Sequence, residues 1–379
     1  MKKYYFILAA AALALASCSS DETIESAATS PSNEISFRAF ANNATRATDI
    51  DASTMQTSGF TVFATVGSNF STIYFNETAF TYSGGTYTSA TKYYWPSSGT
   101  LDFYAYAHNG AANQVTHTAQ TKAFTVTPDA TAANQTDLVF ANTNGKSKTG
   151  KYADNTKEYG ANGVPLNFRH AESKITVQLR NTSTSLKVTV KDVAIGYLNT
   201  VGTYTYSGST TSTDTDHASE YLKFADWTAK SGTGSYTQTA STTSYTSATA
   251  ITALPQSFIL IPQELTTATA YSAATADAAF NGAFITVELK IQNALNDVYI
   301  VGNADTYVTA LWPLPTGTWN PGYHYTYTVD LAGGGYYPTN QTSIGTGTDL
   351  DPILDGAEIK FVDVTVDSWT DGGNTNVGM

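Results

Sequence analysis

Ile175-Thr176-Val177-Gln178-Leu179-Arg180 alternates apolar and polar side chains without interruption. A period of two places the apolar side chains on one face of a β-strand, so this stretch predicts a half-buried strand. The same alternation returns at residues 186–190, 285–291 and 323–331. No long stretch has the 3.6-residue period of an amphipathic helix, and the sequence therefore predicts an all-β fold.

The composition supports a folded, acidic protein. Among its 379 residues, 41% are hydrophobic and 12% are aromatic, which is enough apolar material for a core. The 19 Lys and Arg residues against 31 Asp and Glu residues give a net charge of −12. Because proteins that bind the phosphate backbone need clustered basic residues, this balance argues against a nucleic-acid partner.

Strand patterns also fill the first half of the chain, starting at Glu34–Phe40, where Ile35 and Phe37 share a face. Residues 142–163 are rich in Gly, Asn and Lys, and they predict a long loop close to a domain boundary. Residues 229–250 are rich in Ser, Thr, Tyr and Gly. That composition is compatible with a low-complexity linker and equally with an ordered surface hairpin or long loop.

The N-terminus is typical of an exported protein. Lys2 and Lys3 precede an apolar run of 12 residues, 4–15, which is too short to span a bilayer but fits a signal peptide. The run ends in Leu15-Ala16-Ser17-Cys18, which resembles a bacterial lipobox. We therefore expect a lipoprotein signal peptide at residues 1–17 and acylation of Cys18; the alternative is a plain secretory signal. Cys18 is the only cysteine, so no intramolecular disulfide can form.

Residues that carry chemistry are scattered. The sequence contains no Gly-x-Ser-x-Gly elbow, and its five histidines lack a metal-ligand spacing. Residues 349–358 contain four acidic side chains, but Pro352-Ile353-Leu354 interrupts the spacing that a calcium loop needs. Two catalytic carboxylates from distant segments would leave no motif in the sequence, so that alternative stays open. We expect no enzymatic activity, no cofactor and no metal.

The last strand pattern changes phase. Ile359 and Phe361 have one parity, whereas Val362, Val364 and Val366 have the other. A change of parity within one strand predicts a β-bulge or a strand in two halves.

Several segments, taken in order, resemble the fimbrillin family of Bacteroidales, the Mfa-like pilus subunits and their accessory adhesins. They cover nearly the whole chain behind the lipobox. The segments are Tyr94-Trp95-Pro96, Leu101-Asp102-Phe103-Tyr104-Ala105-Tyr106, Asp137-Leu138-Val139-Phe140-Ala141, residues 164–171 with Ser173-Lys174-Ile175, Ile259-Leu260-Ile261-Pro262-Gln263, residues 319–327, and Val364-Thr365-Val366-Asp367-Ser368-Trp369.

The resemblance implies two transthyretin-like β-sandwich domains in tandem, at residues 47–163 and 164–379. A propeptide-like segment, 18–46, would carry the first strand. The resemblance also implies a lipid-anchored precursor exposed on the cell outer membrane and an Arg-specific protease that cuts between Arg46 and Ala47. The alternative for Arg46 is a surface arginine that stays uncut.

In stalk-type members of that family, loss of the first strand opens a groove that the C-terminal strand of a neighbouring subunit fills. Val362, Val364 and Val366 match the donor strand; the alternative is an ordinary core strand of the second domain. Strand donation satisfies an open sheet edge, and head-to-tail donation builds a fibre.

The resemblance thus favours a structural or adhesive fimbrial subunit that polymerises with other fimbrial subunits. A monomeric or anchor-type surface lipoprotein that binds glycan or a host protein is the alternative, and an all-β glycoside hydrolase is the least favoured function. The sequence leaves open whether the subunit is of stalk, tip or anchor type, and what its adhesion ligand is.

Overall fold

The computed structural model describes most of the chain. The described residues are 33–41, 49–67, 72–109, 114–117, 123–152, 155–206, 225–245, 252–265, 282–338, 350–354 and 361–369.

Strands dominate the described residues, as the period-two patterns predict, and the all-β prediction is confirmed. Helical structure there is limited to α1 (Ala52–Ser58), α2 (Tyr159–Asn162) and two 3-10 turns, Ala132–Asn134 and Leu331–Gly333. Asp51 caps α1 by accepting a hydrogen bond from the Thr54 N–H (2.7 Å). Gly59 ends the helix with a φ of 73°, a conformation that glycine adopts without strain.

The strands of the first half form one eight-stranded sheet and part of a smaller one. Their bounds are β1 (Phe37–Phe40), β2 (Phe60–Val66), β3 (Ile73–Ser83), β4 (Thr86–Ser89), β5 (Leu101–His108), β6 (Val115–His117), β7 (Ala123–Val126), β8 (Leu138–Lys146), β9 (Val164–Asn167) and β10 (Arg169–His170). The order in the large sheet is β10-β8-β5-β2-β3-β4-β1-β9. The sequence predicts a long loop that starts at residue 142. This predicted start is wrong, because β8 continues to Lys146 by pairing with β5.

The large sheet curls round its core. Its two terminal strands, β9 and β10, are separated in the chain by Phe168 alone, so the two ends of the sheet must lie side by side. The enclosed residues are aromatic and aliphatic, and they include Phe37, Phe60, Val62, Phe80, Phe103, Leu166 and Phe168.

In the described part of the chain, the second half contributes two large sheets and one two-stranded sheet. Its strands are β11 (Ser173–Arg180), β12 (Leu186–Leu198), β13 (Val201–Tyr206), β14 (Ala225–Ser231), β15 (Gly234–Tyr245), β16 (Thr252–Ala253), β17 (Phe258–Leu260), β18 (Glu264–Leu265), β19 (Phe284–Asn293), β20 (Tyr299–Val301), β21 (Val308–Pro313), β22 (Gly317–Thr318), β23 (Tyr323–Asp330), β24 (Tyr336–Pro338), β25 (Leu350–Pro352) and β26 (Phe361–Ser368).

One sheet has the order β16-β11-β23-β26, with β17 also paired to β11; the other runs β15-β12-β19-β21-β24-β25, with β20 paired to β19. The apolar faces of β11, β12, β19 and β23 enclose a single core, so the two sheets pack as a sandwich. Residues 225–245 form β14 and β15, which agrees with the ordered alternative for that region; residues 246–250 lie outside the described residues.

A four-stranded sheet, β14-β13-β7-β6, combines strands from both halves. It covers a third core that contains Phe63, Phe124, Phe140, Tyr204 and Trp227. The Tyr206 hydroxyl donates to the Ala105 carbonyl (2.7 Å) across this contact. β9 and β10 also belong to the first sheet, beyond the expected boundary at residue 164. The tandem transthyretin-like arrangement and its boundaries stay predictions.

Candidate functional site

The first strand, β1, lies between two other strands of the large sheet. Phe37 stands opposite Tyr87 of antiparallel β4, and Phe37–Phe40 pairs in parallel with Val164–Asn167 of β9. A strand with two neighbours contributes backbone hydrogen bonds on both sides. Removing β1 would therefore leave open edges on both β4 and β9.

Phe37 anchors β1 in the core, where its side chain is 0% exposed. Its ring meets those of Phe80 and Phe103 edge-on, with centroid distances of 4.8 and 5.0 Å. Ile35 is also 0% exposed, and its N–H donates to the Tyr93 carbonyl (2.8 Å). Without these side chains, the space between β4 and β9 would become an apolar groove.

The last strand, β26, is held less tightly. It pairs with β23 alone among the described strands, and it ends the path of its sheet. Val364 and Val366 stand opposite Tyr327 and Tyr325, whose side chains are buried. Residues directly opposite in a sheet share a face. Val364 and Val366 are nevertheless 39% and 51% exposed, so the apolar face of β26 is only partly covered.

The phase change predicted near Phe361 is confirmed as a register shift. Thr328 pairs with Asp363, but the next residue, Val329, pairs with Phe361, which leaves Val362 as the additional residue. An additional residue on one strand is the defining feature of a β-bulge. Val362 therefore lies at the bulge, and Val364 and Val366 lie in the regular part of the strand.

A group of buried residues lies where the two halves of the chain meet, and four of its six members are polar or charged. We call it the junction cluster: Asp49, Ile50, Asp137, His170, Lys174 and Trp369. Lys174 Nζ lies 2.8 Å from Asp49 Oδ2, and His170 Nδ1 lies 2.8 Å from Asp137 Oδ1. The Ile50 N–H donates to Asp137 Oδ2 (2.7 Å). The Trp369 ring stacks on His170, with a centroid distance of 3.9 Å and an interplanar angle of 7°.

One known protein family matches most of this β-rich chain. The family model described as fimbrillin-like matches residues 45–351. The chain belongs to the fimbrillin-like family. Membership supports a fimbrial or adhesive role at the cell surface, and the family expected from the sequence is confirmed.

Two solved structures similar to this fimbrillin-like chain come from Bacteroides species. One is a fimbrial protein from Bacteroides vulgatus, 14% identical, with a TM-score of 0.49 and coverage of 89% of this chain and 100% of that chain. Another, from Bacteroides uniformis, is a protein provisionally assigned to cell adhesion; it is 15% identical, with a TM-score of 0.44 and the same coverage. No curated protein matches this sequence.

The expected processing residues of this fimbrillin-like chain lie outside the described residues: Cys18, Arg46 and Ala47. The described segments on either side of Arg46 are β1, which ends at Phe40, and Asp49-Ile50 of the junction cluster. In the described part of the chain, no group of three or more His, Asp or Glu residues is arranged to hold a metal ion. No helix there is long and apolar enough to cross a membrane.

The alternating pattern around residue 175 did not reveal the junction cluster. Lys174 occupies the polar face of a strand that the sequence predicts as half-buried, yet the side chain is buried. Its partner Asp49 is 125 positions away, so no local spacing connects them. The nearest signal in the sequence was the motif at residues 164–171 with Ser173-Lys174-Ile175.

Glu172, beside the junction cluster, is completely buried. Burial raises the pKa of its carboxyl well above the usual range, and nearby Asp137 raises that pKa further. Glu172 Oε2 accepts a hydrogen bond from the Leu138 N–H (3.0 Å). The raised pKa means that the folded protein keeps the Glu172 proton at pH values where the unfolded chain has lost it.

We expect Glu172→Gln to reduce the pH dependence of stability. Because a raised folded pKa favours folding at low pH, the free energy of unfolding of the wild type should fall as pH rises above the ordinary range of glutamate. The slope approaches about 1.4 kcal/mol per pH unit while one extra proton stays bound. Urea denaturation between pH 4 and 8 measures this slope. Glu264→Gln, at an exposed residue, is the control; equal slopes for Glu172→Gln and wild type would contradict the assignment.

Proposed function

We propose that this chain is a structural or adhesive subunit of a cell-surface fimbria without enzymatic activity. Its precursor is exported as a lipoprotein, acylated at Cys18 and held on the outer membrane, exposed to the exterior. An Arg-specific protease then cuts between Arg46 and Ala47. The released β1 leaves a groove, and Val362, Val364 and Val366 of another fimbrial subunit enter it.

The observation that carries this proposal is the contrast between the first and last strands. β1 has a neighbour on each side and buries Phe37 completely, so its departure would create both open edges and an apolar groove. β26 has one neighbour among the described strands and two half-exposed valines. Moving β26 into such a groove would exchange one hydrogen-bonded neighbour for two and would bury more of both valines.

The anchor part of the proposal rests on the sequence. Cys18 is the sole cysteine and lies three residues after the apolar run of the signal peptide. Several acyl chains hold a protein firmly on a membrane, whereas one chain alone gives weak binding. Arg46 follows β1 closely and precedes Asp49, so a cut there would separate the first strand from everything that follows it in the chain.

The intact chain also supports a second function. With β1 and β26 both paired within the same chain, the described strands leave no gap in the large sheet at β1 or beside β23. Such a subunit fits a membrane-held anchor or a monomeric lipoprotein that binds glycan or a host protein. The processing of Arg46 therefore separates the two functions.

The experiment compares protein from the cell surface with two variants, Arg46→Lys and the matched control Arg38→Lys. Mass spectrometry gives the mature N-terminus, and gels of unheated samples reveal polymers. We expect wild type and Arg38→Lys to start at Ala47 and to form a ladder of polymers. Arg46→Lys keeps the charge but removes the arginine that the protease requires, and it should give one band that starts at acylated Cys18. A wild type with an acylated Cys18 and a single band would refute assembly after cleavage.

A further inference from the structure

Two segments that flank the proposed exchange events meet in the junction cluster. Asp49 and Ile50 come three and four residues after Arg46, and Trp369 comes directly after β26. Lys174 binds the Asp49 carboxylate at 2.8 Å, and Asp137 accepts the Ile50 N–H at 2.7 Å. All of these side chains are buried, so the segment after the cleavage position is docked between the two halves of the chain.

Trp369 contacts the residues that hold this segment. Its ring stacks on His170 at 3.9 Å, and Lys174 Nζ lies 5.7 Å from the centre of the same ring. His170 is bound in turn to Asp137 at 2.8 Å. His170 and Lys174 therefore each contact both Trp369 and a carboxylate. The carboxylate beside Lys174 is that of Asp49 itself, and the carboxylate beside His170, from Asp137, binds the backbone of Ile50.

The backbone fixes Trp369 at the same place. The Trp369 N–H donates to the Gly322 carbonyl (2.8 Å), and the Gly322 N–H donates to the Glu172 carbonyl (2.8 Å). Gly322 directly precedes β23, the neighbour of β26. Holding Trp369 therefore holds the end of β26 against β23.

We propose that the junction cluster is a latch, in which the docking of Asp49-Ile50 keeps Trp369 in place and thereby keeps β26 in its own sheet. This inference rests on the proposed strand exchange, because it assigns the cluster the control of when the donor strand is released. While Asp49 and Asp137 orient Lys174 and His170, those two side chains present a fixed surface to the indole ring. Once cleavage frees the segment from β1, a looser Asp49-Ile50 would disorder that surface and release Trp369.

The chemistry of the cluster suits a two-state contact. Buried charges are stable only when they are paired and hydrogen-bonded, so loss of one carboxylate disturbs its partner rather than being absorbed by solvent. Coupling of this kind is reciprocal: docking of Asp49-Ile50 stabilises docking of Trp369 by the same free energy by which docking of Trp369 stabilises docking of Asp49-Ile50.

Hydrogen exchange of the uncut full chain, followed by mass spectrometry, tests the latch in both directions. In Asp49→Asn, we expect amides of residues 363–369 to exchange about ten-fold faster than in wild type, because local opening becomes easier. In Trp369→Leu, we expect the Ile50 amide to exchange faster by a similar factor, about ten-fold. The matched control is Asp297→Asn, which removes an exposed ion pair with Lys187 and should change neither rate.

The latch would be overturned if Asp49→Asn left the amide exchange rates of residues 363–369 unchanged while β12 and β19 stayed protected as in wild type. If Asp49→Asn does not fold, Trp369→Leu decides alone, since it alters only the residue after the last described strand; an Ile50 amide protected as in wild type would then overturn it. The measurement needs no cleavage and no polymer. Its failure is therefore distinct from failure of the proposed function, which would appear as cleaved protein that forms no ladder.

Discussion

Phe37→Ala is expected to lower the free energy of unfolding of the uncut protein by about 3–5 kcal/mol, the usual range for loss of a buried phenylalanine side chain. Phe37 is completely buried, and its ring packs edge-on against Phe80 and Phe103. These neighbours are fixed by their own strands, so the cavity would not collapse fully. Urea denaturation of purified protein that retains residues 18–46 measures the effect.

The control for this prediction is Phe40→Ala, because Phe40 lies on the same strand but is only partly buried. Phe40→Ala should lower the free energy of unfolding clearly less than Phe37→Ala does. Protein that starts at Ala47 no longer contains residue 37, so its stability should be the same whichever precursor it comes from. Equal stability of uncut Phe37→Ala and wild type would mean that β1 does not anchor the first core.

Lys174→Met is the second change with a large expected effect, a loss of about 3–5 kcal/mol in the free energy of unfolding. The ammonium and the Asp49 carboxylate are both buried and lie 2.8 Å apart. Removing the cation leaves the carboxylate buried without that partner, and this is the costly half of a buried ion pair. Thermal or urea denaturation measures the loss.

Lys187→Met is the matched control, because its ion pair with Asp297 is exposed and should contribute about 0–1 kcal/mol. The double variant Asp49→Leu with Lys174→Met should recover much of the lost stability, since apolar groups of similar size replace a buried pair at little cost. A Lys174→Met protein no less stable than Lys187→Met would show that the pair does not stabilise the junction.

Much of the fold could be predicted from periodicity, because burial of one strand face leaves a period of two in the sequence. β12, β19 and β23 follow the alternation of residues 186–190, 285–291 and 323–331. The bulge at Val362 was visible for the same reason: an additional residue reverses the parity of the side chains that follow.

What could not be predicted depends on contacts between distant segments. The polar side chains of Lys174 and Thr176 indicated a solvent-facing surface, but both are buried. Lys174 pairs with Asp49, and Thr176 is hydrogen-bonded to His324 (2.8 Å). The sheet shared by β7 and β13 was equally hidden, because each strand has an ordinary pattern and only the pairing joins the two halves.

The polar end of β8 shows the same limit. The composition at Asn142, Thr143 and Lys146 is that of a loop, yet all three residues pair with β5, with a register shift between Thr143 and Lys146. The Asp102 side chain accepts a hydrogen bond from the Gly145 N–H (2.6 Å) where the two strands meet. Strand pairing and a side-chain hydrogen bond from a neighbouring strand thus override a local preference for turns.

Photo-cross-linking from the last strand tests the central claim, donation of β26 into the groove of another copy. A photo-reactive phenylalanine derivative replaces Val364, and polymers assembled from a mixture of isotope-labelled and unlabelled chains are irradiated and digested. We predict peptides that join residue 364 of one copy to Thr86–Ser89 or Val164–Asn167 of the other. The same group at exposed Ile300 is the control. Cross-links from residue 364 that stay within one chain and end on β23 would contradict strand exchange.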